Sequence, residues 1–322
     1  MSFEQQVIVR RKRLVAERIL EIELVARDAS LLAPFSAGAH IDVRLGENIV
    51  RQYSLCNSPS ERDRYLLGVQ LETASRGGSR ALHELSEGAI LDVSKPRNRF
   101  PLAEDRSHSV LIAGGIGITP LLSMAEQLVC EAMPFDLHYC VRTRAAVAFK
   151  ERIFSGPILE ATNLYVSDEL GLSKFDAEAL FHRTLPERSN FYICGPFGFI
   201  EHVLKAAASC GVDKSRLHRE HFHIDPVLTT DTTVRTFTVK LARSELSVVV
   251  NERETIIDAL ASIGVDVPVS CEQGVCGTCL TTVLSGEPDH RDVYLTDDEK
   301  RLNNCLTPCC SRSKSLTLTL DL

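Results

Sequence analysis

Residues 271–279 read CEQGVCGTC, with cysteines at 271, 276 and 279. The spacing C-x4-C-x2-C is that of a plant-type [2Fe–2S] loop, which takes its fourth thiolate from farther along the chain. A loop that wraps an inorganic cluster must aim several thiolates inward and bring its backbone close. Gly274 and Gly277 supply the φ freedom and the missing bulk that this needs. Thiolates are soft ligands, suited to iron–sulfur chemistry or to zinc. Zinc sites pair their cysteines in two separated knuckles, and three clustered cysteines with one remote partner fit that layout poorly. Cys305, Cys309 and Cys310 all lie within reach as the fourth ligand.

The chain around this loop has 322 residues, enough for two or three domains. It is 44% hydrophobic and 25% charged, an ordinary globular composition. No apolar run approaches the roughly 18 residues of a membrane span, and MSFEQQVIVRRKRLVAE lacks the layout of a signal peptide. A cytoplasmic protein with no membrane partner is expected. Its eleven cysteines then read as free thiols and metal ligands rather than disulfides. The net charge of −7 argues against nucleic acid as a partner.

Residues 5–100 carry short runs rich in Val, Ile, Leu and Tyr, bounded by Gly, Asn, Ser or Pro: HIDVRL, VRQYSL, RYLLGVQLE and AILDVSK. Strands at this spacing predict an antiparallel barrel. One helical piece, GSRALHEL, interrupts them after the RGGS run at 76–79, whose bare amides could hold a phosphate. Arg51, Tyr53 and Ser54 share one strand, and alternation points Arg51 and Tyr53 to one face. An arginine fork suits a phosphate and a flat ring suits stacking on a flavin, although an Arg–Tyr pair on a strand surface is common.

From 104 the character changes. SVLIAGG is a buried-strand run, then GGIGITP spans 114–120 and LLSMAEQLV follows at helical period. Thr119 reads as the N-cap and Pro120 as the first helical residue. Strand, glycine turn and helix start together form a seat for a pyrophosphate. FDLHYCV, NLYVS and NFYICG repeat the strand pattern between helices, predicting a parallel sheet with ligands at its strand C-terminal ends, where Cys194 lies. The histidine run at 218–223 lacks a metal-ligand constellation and reads as a closing strand. PVLTTDTT reads as a linker. Beyond it, VRTFTVKL and LSVVV form a hairpin, ETIIDALASIG a helix with Ile256, Ile257 and Leu260 inward, and LTLTLDL a closing strand. A small sheet gripping one helix, with the cysteine loop at its edge, is a β-grasp.

Read together, these motifs resemble the phthalate dioxygenase reductase family over essentially the whole chain. The residues that carry the resemblance are Arg51, Tyr53, Ser54 and Leu55; the RGGS run; GGIGITP; CGP at 194–196; Glu220 with Phe222; and the closing C-x-S-R before LDL. The resemblance implies a multidomain chain: an FMN-binding antiparallel β-barrel at 1–103, an α/β parallel-sheet nucleotide domain at 104–226, a linker at 227–233 and a β-grasp [2Fe–2S] ferredoxin domain at 234–322. It implies that Arg51, Tyr53, Ser54, Leu55, Gly78 and Ser79 bind FMN, that Gly115, Gly117 and Thr119 seat the nucleotide, and that Cys194 and Phe222 lie at the nicotinamide and flavin. With Thr119, these last two are the candidate catalytic residues. NADH is the implied donor, with NADPH left open by Arg142 and Arg144. The pattern C-x-S-R places the fourth ligand two residues before Ser311, making the metal set Cys271, Cys276, Cys279 and Cys309. Strand alternation would turn Cys310 away.

The function so implied is that of a monomeric reductase component. It would carry electrons from NADH through FMN and the cluster to a separate Rieske-type oxygenase or demethylase acting on aromatic or quaternary-amine substrates. The protein aligns and tunes; the cofactors carry the chemistry. A haem monooxygenase as acceptor is one alternative, and a thiol–metal sensor or binding module without turnover is another.

Overall fold

The computed structural model describes residues 3–46, 49–73, 77–105, 107–169, 174–184, 188–223 and 236–322. The chain divides into two compact units, Met1–Phe222 and His223–Leu322. The expected linker at 227–233 and Arg76 of the RGGS run lie outside the described residues. Among the described residues no helix is long and apolar enough to cross a membrane.

The first unit opens with strands β1 (Gln5–Ala16), β2 (Ile19–Ala26), β3 (Ala39–Arg44), β4 (Val50–Ser54) and β5 (Tyr65–Gln70). Helix α1 (Gly78–Glu84) and strands β6 (Ile90–Val93) and β7 (Arg97–Asn98) follow. The period-2 pattern is visible in β1, where Val7 and Val9 are buried between exposed Gln6 and Arg10. The strands run β4-β3-β6-β1-β2-β5, with β7 beside β3. The two ends of this order then meet. Leu55 bridges Leu67, and the Cys56 amide donates to the Leu66 carbonyl at 2.9 Å. Closure covers the exposed edges that an open sheet would present. The interior is filled by Ile22, Leu24, Ile41, Leu55, Tyr65 and Leu67, all fully buried.

The same unit continues with β8 (His108–Gly114), α2 (Ile118–Cys130), β9 (Phe135–Val141), α3 (Lys150–Ile153), α4 (Gly156–Ala161), β10 (Thr162–Val166), α5 (Ala177–Arg183), β11 (Ser189–Gly195), α6 (Phe197–Ser209) and β12 (Leu217–His221). These strands form a parallel sheet in the order β10-β9-β8-β11-β12. Leu121 and Leu122 of α2 cover one face; Phe181 of α5 and Ile200 and Val203 of α6 cover the other. A sheet buried on both faces explains the unbroken apolar run of β8. The winding direction reverses between β8 and β11, so the crevice beyond their ends is the place where this architecture binds ligands.

Thr119 is not the N-cap of α2, and Pro120 is not its first residue. Gly115–Gly117 makes a single tight turn that runs straight into the helix, so Gly117 caps it and Ile118 begins it. The Thr119 hydroxyl instead donates to the Ile116 carbonyl at 3.0 Å. Pro120 still falls in the first turn, where a missing N–H removes no intrahelical bond.

The second unit holds β13 (Phe237–Leu241), β14 (Ser247–Val250), α7 (Ile256–Ser262), β15 (Thr281–Ser285), β16 (Pro288–Asp289), α8 (Asp297–Leu302), β17 (Cys305–Leu306), β18 (Arg312–Ser313) and β19 (Thr317–Leu320). Its sheet runs β14-β13-β19-β15-β17, with β13 and β19 parallel. Helix α7 buries Ile256, Ala259 and Leu260 against it. Ile257, expected to point inward, is only half-buried: it is rotated by about 100° from Ile256 and lies at the margin of the stripe. Thr255 and Asp258 cap α7 reciprocally, side chain to backbone in both directions. At its other end, Val265 donates to Leu260 and Gly264 to Ala261, a Schellman closure on a left-handed Gly264 (φ 77°). Thr255→Ala should therefore destabilise the second unit by about 1 kcal/mol. Denaturant unfolding followed by circular dichroism checks this, and an unchanged midpoint would refute it.

Candidate functional site

In the first unit the structure draws together residues far apart in sequence. On β4, Arg51 lays its stem across the buried Gly78 at the start of α1: a β-carbon on Gly78 would come within 2.5 Å of Arg51 Cγ. The Ser79 hydroxyl accepts from the Glu72 amide at 3.2 Å. Tyr53 is half-buried against the barrel core, and burial pushes its hydroxyl pKa up. Leu55 is wholly inside that core, so only its backbone can face a ligand.

Ser54 leads to the sheet. Its hydroxyl hydrogen-bonds the carboxyl group of Glu220 on β12. Part of the Glu220 residue is accessible, but its Oε2 is buried and has no hydrogen-bond partner among the described residues. Burial raises its pKa from the usual carboxylate range to about 8, so the carboxyl is neutral at pH 7. Cys194 is directly opposite Glu220 in the β11–β12 register. It is fully buried, and burial followed by the nearby Glu220 charge pushes its thiol well above the ordinary value. The Cys194 carbonyl is the wall against which the glycine turn closes: a β-carbon on Gly117 would lie 2.3 Å from that oxygen. Gly115 is left-handed (φ 54°) and faces open space. Thr119 is 2% exposed and packs its methyl into the hollow over Gly68 of β5. Phe222, just beyond β12, is 36% exposed.

The barrel strand, the glycine turn and the ends of β11 and β12 thus meet around Ser54, Glu220, Cys194 and Thr119. Glu220 and Gly68 carry no role in the sequence reading. Glu220 was part of a recognised motif, but its burial depends on a partner 166 positions away. Gly68 lies inside the RYLLGVQLE strand run, and a glycine within a strand is itself a sign of close backbone approach.

In the second unit the cysteine loop is shaped by two close contacts. Gly277 lies under the ring of Tyr294, and Gly274 lies against Asp292 and the Cys310 sulfur; a β-carbon at either would clash, at 2.1 Å and 2.4 Å respectively. The amides of Val293 and Tyr294 both donate to the Gly274 carbonyl at 3.1 Å, strapping this segment to the loop. Cys271 is hydrogen-bonded to Cys276 and Cys309, and Cys279 to Cys309. These contacts lower the Cys271 and Cys279 pKa values and raise those of Cys276 and Cys309, as expected of thiols that cannot all ionise side by side without a metal. Amides of Gln273 and Thr278 point at the Cys271 and Cys276 sulfurs, at 3.4 and 3.5 Å. Soft donors converging in this way, with N–H groups toward the sulfurs, fit a [2Fe–2S] centre.

Alternation does not turn Cys310 away. Pro308, Cys309 and Cys310 form a turn closed by the Cys310 and Ser311 amides on the Thr307 carbonyl, not a strand. Cys310 therefore also faces the loop at Gly274, but Cys309 is its thiol neighbour, whereas Cys309 touches both Cys271 and Cys279. Cys305 is on β17, paired with Thr282. Arg312 of the closing pattern is 7% exposed and donates to the carbonyls of Glu254 and Asn251, tying β18 to the approach of α7.

A closed barrel packed on a parallel sheet, followed by a β-grasp unit in which a three-cysteine loop meets a fourth thiol, is the plan of an electron-transfer oxidoreductase. Residues 239–314 match the family described as 2Fe-2S iron-sulfur cluster binding domain. The chain is 44% identical over 318 residues to vanillate O-demethylase oxidoreductase of Pseudomonas sp. (strain HR199 / DSM 7063), covering 98% of this chain and 99% of that one. The solved structure of phthalate dioxygenase reductase, described as a modular structure for electron transfer from pyridine nucleotides to [2Fe-2S], superposes with a TM-score of 0.74 at 36% identity, over 98% of this chain and 97% of that one. An intact type IV self-sufficient cytochrome P450 monooxygenase matches with a TM-score of 0.86 at 36% identity, over 99% of this chain but 41% of that one. The chain belongs to the family of oxygenase reductase components that contains vanillate O-demethylase oxidoreductase and phthalate dioxygenase reductase.

Two predictions follow from the geometry. Between about pH 4.5 and 8 the folded protein keeps a proton on Glu220 that the unfolded chain has released. Stability should therefore fall as pH rises through that window, by at most about 1.4 kcal/mol per unit, and level off above it. Thermal unfolding at pH 6 and 8.5 should show a larger drop for wild type than for Glu220→Gln; equal drops would refute the assignment. For the metal set, Cys309→Ser should lose or strongly perturb the cluster, while Cys305→Ser and Cys310→Ser keep it. Visible absorbance and iron content are the measurements, and an intact cluster in Cys309→Ser would overturn the choice.

Proposed function

We propose that this reductase takes a hydride from NADH onto FMN held by the barrel, and delivers electrons through its [2Fe–2S] centre to a separate Rieske-type oxygenase or demethylase. The observation that carries the reading is the meeting, at the β8–β11 switch point, of the Arg51–Ser54 strand with Gly117, Cys194 and Glu220. The flavin supplies one capability when bound: it accepts two electrons together and releases them singly.

The chain's own residues supply the alignment. Arg51, with the amides of Gly78 and Ser79, would hold the FMN phosphate, and the space beside Gly78 is shaped by the arginine stem itself. Tyr53 would stack on the flavin, and Phe222 would present its exposed ring to the same region. Gly115, Gly117 and Thr119 would let the nucleotide approach the backbone, with Cys194 as a neutral, apolar wall. Glu220, protonated at pH 7, would offer a hydrogen-bond donor beside Ser54. Cys271, Cys276, Cys279 and Cys309 would ligate the cluster. NADH is favoured over NADPH because Arg144, a candidate clamp for a 2′-phosphate, is paired with Glu169.

The contact with the oxygenase is proposed to be transient, made by a monomer that reloads between encounters. A cytoplasmic setting accords with eleven cysteines all present as free thiols. A haem monooxygenase as acceptor is the second reading, favoured by the P450 structure whose corresponding part superposes on nearly the whole of this chain.

The full-length protein should be yellow-brown, bleach with NADH and reduce ferricyanide. Electron delivery to a purified Rieske-type oxygenase, but not to a P450, would separate the two readings. Arg51→Ala should retain the cluster but bind FMN about 10- to 100-fold more weakly, the loss of a charge-assisted contact. Flavin fluorescence after denaturation measures this. Normal FMN content in the variant, or a preference for NADPH in steady-state rates, would overturn the corresponding assignment.

A further inference from the structure

The barrel and the parallel sheet of the first unit meet across an apolar boundary that holds a charged cluster. Arg152 on α3 donates Nε to Glu126 of α2 at 3.0 Å and an Nη to the carbonyl of Cys56. Its other Nη lies 3.8 Å from the Cys56 sulfur and 4.0 Å from Glu21 of β2. The Arg152 and Glu126 side chains are only 19% and 18% exposed. Replacing such a pair with apolar residues often leaves stability unchanged or improves it, so stability alone is a weak explanation for its presence.

Its location gives a better one. Cys56 directly follows the 51–55 segment, and its amide is held by Leu66 of β5. The Asn57 carbonyl accepts from Ser123 of α2 at 2.8 Å, a second tie to the same helix whose start seats Thr119. Phe149, the N-cap of α3, has a left-handed backbone (φ 55°), and its ring shares the Gly68 hollow with Thr119. Arg152 lies one helical turn further on.

We propose that Arg152 is a positioning residue for hydride transfer. Its planar fork fixes the end of the Arg51–Ser54 strand against the turn that seats the nucleotide, and so sets how closely the two cofactors approach. This rests on the flavin and nucleotide roles proposed above. Lysine keeps the charge but not the fork. In full-length, FMN-loaded Arg152→Lys mixed rapidly with NADH, the limiting rate of flavin reduction should fall about 10- to 100-fold, while the NADH concentration for half-saturation and the FMN and iron contents stay near wild type.

A second readout needs no cofactor. In flavin-free protein, amide hydrogen exchange at residues 55–57 should be faster in Arg152→Lys than in wild type. Glu126→Gln, which keeps the shape of its side chain, should move both readouts in the same direction by less, and decides the matter if Arg152→Lys does not fold. A limiting rate and exchange like wild type would overturn the proposal, as would a rate loss that merely tracks lost FMN. If wild type itself bound no flavin or failed to oxidise NADH, the functional reading would fall, and this inference with it.

Discussion

The first unit depends on how closely two strand ends can approach. Gly117 and the Cys194 carbonyl leave no room for a β-carbon between them. That contact joins the turn after β8 to the end of β11, at the point where the sheet reverses its winding. Cys194 is in register with Glu220, and Glu220 reaches Ser54 of the barrel. A side chain at 117 would cost about 1–3 kcal/mol as overpacking. The larger effect would be on chemistry, because a shift of about 1 Å between reacting groups can cost 10²-fold in rate. Under the nucleotide role proposed for Gly117, function is the stricter of the two constraints on this position.

The second unit solves a different problem with similar means. Four thiols must be held together although their ionised forms repel. The loop achieves this by letting Tyr294 cover Gly277 and Asp292 abut Gly274, while Arg312 anchors the returning chain to the carbonyls before α7. The cysteines are thus gathered by backbone contacts and by a buried arginine that is not itself a ligand. A bound cluster would replace the mutual repulsion of thiolates by shared coordination.

Much of this was legible in the sequence, for identifiable reasons. The barrel strands and the helix of the β-grasp follow hydrophobic periods, and the parallel strands unbroken apolar runs, that survive in the structure, and the C-x4-C-x2-C spacing is local. What the sequence reading missed was either a matter of local geometry or of distant contact. The start of α2 was misplaced because Gly115–Gly117 already winds as a helix, which N-cap preferences cannot reveal. The alternation applied to Cys309 and Cys310 assumed a strand where there is a turn. Glu220 and Arg152 are charged residues whose partners lie 166 and 26 to 131 positions away, so nothing in their own neighbourhoods marked them as buried.

The place of β19 in its sheet has a consequence for biosynthesis. This strand, made after every other strand of its sheet, lies in the middle of the sheet between β13 and β15, and it follows Cys309 by only a few residues. A chain emerging from the ribosome can complete the barrel and the parallel sheet while the β-grasp still lacks its central strand and Cys309. Domains fold in the order in which they are synthesised. Iron and sulfide can thus be enclosed only once β19 has been made, by which time the whole of the first unit has been synthesised.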